Sequence, residues 1–79
     1  MDVAVLRCFV SVLEEGGFAP AARRIGISRS LCSKYISDLE ADLGTRLFTR
    51  TTRSVVPTAA GTFYATRVRD ALRRLDEAT

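Results

Sequence analysis

The chain has no histidine and only two cysteines, Cys8 and Cys32, so the usual metal-ligating sets cannot be assembled from it. Together with the lack of paired carboxylates on one face and of a glycine-rich phosphate loop, this removes the customary parts of an enzyme and leaves no cofactor to expect. No apolar stretch approaches the ~18 residues of a spanning helix, and Met1-Asp2-Val3 does not open a leader peptide. The expectation is a soluble cytoplasmic protein with reduced thiols, Cys8 and Cys32 acting as small buried hydrophobes. No exposed aromatic platform for single-stranded RNA is visible either.

What is present is arginine. Eleven of the twelve basic residues are arginine, and the net charge of +3 is unevenly spread. Residues 1–17 sum to −2, 18–58 to +4 and 59–79 to +1, which puts the positive field in the middle. The planar guanidinium suits phosphates and guanine edges better than a point charge does, so the composition leans toward nucleic acid. With 79 residues the chain makes one small domain, for which oligomerisation is the expected staple.

Periodicity lays out the elements. A first helix over 2–15 carries Leu6, Phe9, Val10 and Leu13 on one strip, with Asp2 as cap and Gly16-Gly17 as stop. A second strip, Val5, Cys8 and Val12, is turned away from the first and calls for a second neighbour. Phe18–Ile25 reads as a short second helix with Pro20 in its first turn, closed by Gly26. After a tight turn at Ile27, Ser28 caps a third helix that runs to Leu43, buried through Cys32, Ile36, Leu39 and Leu43. Its opposite arc, Ser30, Ser33, Lys34 and Ser37, is small, polar and cationic. Two β-prone runs, 47–51 and 54–57, make a short hairpin around Thr52-Arg53, and Pro57 confines the second to an edge. Thr58 caps a fourth helix to about Ala78, with Tyr64, Val68, Ala71, Leu75 and Ala78 at seam spacing.

The expected fold is therefore mainly α: a winged helix-turn-helix with a three-helix core, a short β-hairpin wing and a long C-terminal linker helix. The expected division is a 1–58 winged helix-turn-helix DNA-binding domain and a 59–79 linker or dimerisation helix continuous with it. A groove-entering helix needs small side chains and a few long donors near its amino end, which Ser28, Arg29, Ser30, Ser33 and Lys34 provide. Arg23, Arg24, Arg46, Arg50 and Arg53 add phosphate-binding charge. The competing reading is a protein-interaction module that docks through the apolar side of helix four and the second strip of helix one.

The string Phe9-Val10, Phe18-Ala19-Pro20-Ala21-Ala22-Arg23-Arg24, Ser28-Arg29-Ser30, Ser33-Lys34, Ile36, Leu39-Glu40, Leu43-Gly44, Leu47-Phe48-Thr49-Arg50 and Thr58-Ala59-Ala60-Gly61 resembles the amino-terminal domain of the LysR-type transcription regulators. The resemblance implies a third helix in the major groove, a wing at the minor groove and a linker helix that pairs antiparallel with its counterpart in a homodimer. Double-stranded DNA with an interrupted inverted repeat is the partner so implied, and the effector-binding domain of full-length members is absent from this chain. By resemblance, base and phosphate contacts fall on Arg29, Ser30, Ser33 and Lys34, with Arg53 on the wing. Dimer contacts are expected from Val5, Val12, Tyr64, Val68, Ala71 and Leu75. The sequence departs from the usual pattern where Arg29 replaces a common glutamine and Lys34 a common arginine. Leu31 and Cys32 invert the usual size order, and Ala19-Pro20 lack the polar residues often found there.

Overall fold

The computed structural model describes residues 2–51 and 54–79. Its elements run α1 (Val3–Glu15), α2 (Phe18–Ile25), α3 (Arg29–Leu43), β1 (Phe48–Arg50), β2 (Val55–Pro57) and α4 (Ala59–Ala78). Three helices begin on a side chain that satisfies an orphan backbone donor. Asp2 accepts from the amide of Ala4, Ser28 from Leu31 and Thr58 from Gly61. Between α2 and α3 the chain turns at Gly26, whose φ of 74° lies in the left-handed region that a side chain would disfavour. Its amide and that of Ile27 both return to the Ala22 carbonyl, which makes the helix-to-helix turn tight.

The core forms where α1 meets α2, α3 and α4. Phe9 is its centre, fully buried, with its ring 5.5 Å from that of Phe48 and 5.4 Å, edge-on, from that of Tyr64. Cys8, Val12, Ala21, Cys32, Ile36, Leu39 and Leu47 complete it. Ala21 and Ala22 let α2 lie close to α1, and the buried Ser11 hydroxyl donates to the Ala21 carbonyl at 3.3 Å. β1 and β2 pair antiparallel in the register Phe48–Pro57, Thr49–Val56 and Arg50–Val55. The amide of Val55 donates to the Gly16 carbonyl, and that of Thr58 to Leu47, so the hairpin is fastened to the end of α1 near its turn and to the start of α4 at its root. This is the expected winged helix-turn-helix architecture, although the hairpin tip, Thr52 and Arg53, lies outside the described residues.

Three expectations about burial need correction. The strip Val5, Cys8 and Val12 is not a free surface: Cys8 and Val12 are fully buried and Val5 is half-buried against the core. The second neighbour of α1 is the domain's own interior, because α1 is wedged among three other helices. On α4 the inward stripe is Ala65, Val68 and Leu72, so Val68 is a core residue and Tyr64 packs on Phe9. Ala71 and Leu75 do face outward. On α3, Leu43, the last residue of the helix, is 37% exposed, and Glu40 takes the inward position expected of Leu43.

Candidate nucleic-acid interface

The amino-terminal turns of α3 present Arg29 and Ser30 as exposed side chains, with Ser33 one turn further along and half-buried. The small Ser33 leaves a groove walled by Gly16–Pro20 on one side and the turn end of the hairpin on the other, with Arg29 and Arg50 along it. Ser28 immediately precedes the helix, and its hydroxyl oxygen already accepts from the Leu31 amide at 3.1 Å and lies 3.3 Å from that of Ser30. Its first task is thus to start the helix, and any contact with a ligand comes second to that. Arg53 was expected to extend the site across the hairpin and falls outside the described residues.

The cations divide into committed and uncommitted groups. Arg23, Arg29 and Arg46 are exposed and have no acidic partner among the described residues. Arg24, expected to join the positive field, is instead drawn to α1, 2.7 Å from Glu14 and 3.4 Å from Glu15. Arg69 also reaches Glu14, and the hydrogen bonds from Arg24 and Arg69 hold the Glu14 carboxyl below its usual range. Lys34 is one helical turn from Asp38, with Nζ 2.7 Å from the carboxylate; that hydrogen bond raises the ammonium above its ordinary value. Both side chains are exposed, so the pair stabilises little and a phosphate can replace Asp38 as the partner.

Arg50 is held differently. Its guanidinium lies over the Phe18 ring, 4.8 Å from the centroid, and Nη2 donates to Glu40 Oε1 at 3.3 Å. The other carboxylate oxygen of Glu40 accepts from the amides of Leu47 at 2.7 Å and Phe48 at 3.2 Å. Neither the Phe18 stack nor the role of Glu40 was anticipated. The signal for Glu40 is its position four residues after Ile36 on the buried stripe of α3, where a carboxylate requires donors.

On α4, Phe63 is exposed with the Arg67 guanidinium 4.7 Å above its ring, and Leu75 is 40% exposed. No helix among the described residues is long and apolar enough to cross a membrane.

Known proteins share this architecture. The chain is 43% identical over 77 residues to the HTH-type transcriptional regulator PgrR of Escherichia coli, covering 98% of this chain and 26% of that protein. It is 43% identical over 72 residues to the regulator TfdT of Cupriavidus pinatubonensis, covering 91% of this chain and 32% of that one. The chain thus spans between a quarter and a third of the length of these two relatives. Among solved structures, the CbnR DNA-binding domain in complex with DNA matches with a TM-score of 0.95 at 33% identity, over 99% of this chain and 90% of that one. The BenM DNA-binding domain on a catB site matches with a TM-score of 0.94 at 35% identity, over 99% of this chain and 87% of that one. The family model described as "Bacterial regulatory helix-turn-helix protein, lysR family" matches residues 3–62, and the chain belongs to that family.

Proposed function

We propose that this chain reads double-stranded DNA by sequence as the recognition domain of a bacterial transcription regulator, with α3 in the major groove and the hairpin at the minor groove. One observation carries the reading: Arg29, Ser30 and Ser33 form a small-residue, cationic face at the start of α3, on a scaffold that matches a DNA-bound domain with a TM-score of 0.95. A short-side-chain face lets the helix backbone approach base edges, and Arg29 can donate two bonds to a guanine. Lys34, Arg50 and Arg53, helped by Arg23 and Arg46, serve as phosphate contacts.

The functional unit is a homodimer joined through α4, residues 59–79 serving as the linker to the 1–58 reading domain. It presents two α3 helices to an interrupted inverted repeat with half-sites about one helical turn apart. Exposed Ala71 and Leu75 support that seam. The same face would serve an interaction module, but such a module has no use for the cationic start of α3. Such a regulator works in the cytoplasm, on the nucleoid.

Selection of bound duplexes from a random pool tests the reading. A recurrent inverted motif, bound with a steep loss of affinity as salt rises, is the expected result. A pool that emerges without sequence preference, or a log–log salt slope near zero, contradicts it.

A further inference from the structure

We infer that Glu40 is a positioning residue for DNA binding: its buried carboxylate fixes the Arg50 guanidinium against Phe18, at the rim of the groove that holds Arg29 and Ser33. The inference rests on the DNA-reading proposal above and adds a residue that does not itself meet the nucleic acid.

Glu40 is 9% exposed and uses both oxygens. Through Oε2 it holds the amides of Leu47 and Phe48, which sets where β1 begins and hence where the Arg50 backbone stands two residues on. Through Oε1 it takes one Nη2 hydrogen of Arg50. One carboxylate therefore fixes both the root and the head of the same long side chain. The Phe18 ring supplies a flat support for the guanidinium plane. The Arg50 side chain remains 30% exposed, and Glu40 is the one acceptor it has among the described residues, so its other N–H donors are available to a phosphate oxygen. An arginine free in solvent surrenders rotamer freedom when it meets a phosphate. Here folding has already removed that freedom, so less is lost on binding.

The two possible roles of Glu40 predict opposite signs. If the carboxylate were only a negative charge near a polyanion, removing it would tighten DNA binding. If it positions Arg50, removing its charge loosens the cation and weakens binding. Glu40→Gln separates them, because the amide oxygen can still accept from Leu47 and Phe48 while the ion pair to Arg50 is lost.

Affinities for a duplex carrying the selected motif and for a scrambled duplex are measured by fluorescence anisotropy at fixed salt. Glu40→Gln is expected to weaken both roughly three- to tenfold with the motif preference unchanged, since a phosphate contact carries no sequence information. In an Arg50→Ala background the same substitution should change affinity by less than about twofold, because the group it positions is gone. Equal or tighter binding by Glu40→Gln overturns the inference, as does a full additional loss in the Arg50→Ala background. Should Glu40→Gln melt below the assay temperature, Phe18→Leu decides the matter: it keeps the carboxylate and removes the stacking surface, and unchanged affinity there also overturns the inference. Failure of the DNA-reading proposal looks different, since the unsubstituted chain would then bind both duplexes equally or not at all.

Discussion

The Sγ atoms of Cys8 on α1 and Cys32 on α3 lie 3.1 Å apart at the centre of the core, both fully buried and both free thiols. Twenty-four residues separate them in sequence, and nothing in their spacing announces the contact. Burial first, and then the neighbouring Cys32, push the Cys8 thiol from 9.0 up to about 12. In that window the unfolded chain gives up the proton while the folded one keeps it, so the unfolded state gains and stability falls as pH rises. The loss begins near 9.0, proceeds at up to about 1.4 kcal/mol per pH unit, and is complete near 12. Thermal melting from pH 7 to 10.5 should show Tm flat at first and then falling. Cys8→Ala should flatten the alkaline limb, which also separates the thiol from Tyr64, whose hydroxyl burial shifts in the same direction. An alkaline slope unchanged by Cys8→Ala would assign the effect elsewhere.

Gly61 touches the hairpin root with no room to spare. A Cβ at this position would stand 2.0 Å from the Leu47 carbonyl oxygen, which itself accepts from the Thr58 amide. Gly61→Ala must therefore push α4 away from 46–47 and strain the bonds that Thr58 donates to the Arg46 and Leu47 carbonyls. A loss of about 1–3 kcal/mol in urea unfolding is expected, as for other overpacked sites. Ala60→Gly, one residue earlier, should cost no more than about 1 kcal/mol, the ordinary helix-propensity term. Equal costs at the two positions would mean that the close approach is relaxed in solution.

The element boundaries were legible because each depends on local chemistry: a capping oxygen at Asp2, Ser28 or Thr58, and glycine at 16, 26 and 44. The partners of each apolar strip were not. Amphipathicity says that a face is covered without saying by what, so Val5, Cys8 and Val12 looked like a surface for a second subunit when α1 is enclosed by its own domain. The same ambiguity rotated the expected stripe of α4 away from Ala65 and Leu72. Hydropathy also ranked Leu43 above Glu40 for burial. The order reverses because Leu43 sits on the last turn of α3 while Glu40 faces the unpaired amides of Leu47 and Phe48. Of the candidate site, the polar face of α3 could be read directly. Which arginines were already paired could not, because Glu14 lies ten residues from Arg24 and fifty-five from Arg69.

The division of the cations predicts a graded response to alanine substitution. Arg29→Ala should cost about 1–3 kcal/mol on the selected site and relax base preference at one position of each half-site. Arg23→Ala or Arg46→Ala should weaken selected and scrambled duplexes alike and make the salt slope shallower by about one. Arg24→Ala, whose guanidinium is turned toward Glu14 and Glu15, should leave both affinities close to unchanged. Repeating the duplex selection with Arg29→Ala is the decisive measurement, since an unaltered motif would remove Arg29 from the reading set.

The dimer makes the sharpest contrast, because two apolar residues one helical repeat apart on α4 have opposite surroundings. Val68 is 3% exposed inside the core, whereas Leu75, two turns later on nearly the same face, is 40% exposed where the helix runs past the core. An aspartate at 68 places an unpaired charge in the interior, at a cost of several kcal/mol, comparable with the whole stability of a domain this small. Val68→Asp should therefore unfold the chain and abolish binding without informing on assembly. An aspartate at 75 meets water in a monomer and costs little there, but in a two-fold seam it sets a charge, twice, among apolar side chains of the partner helix. Leu75→Asp should keep the circular dichroism spectrum and Tm of a folded domain while shifting sedimentation at micromolar concentration from dimer to monomer. Affinity for the full inverted repeat should then fall toward that for a single half-site, because the second reader is no longer held at high effective concentration. Half-site affinity itself should not change, since Leu75 lies in the last turn of α4, whereas the helix meets the hairpin at its first turn, through Thr58 and Gly61. If the unsubstituted chain already sediments as a monomer and binds half-site and full repeat equally well, α4 is not the seam and its outer face has another occupant.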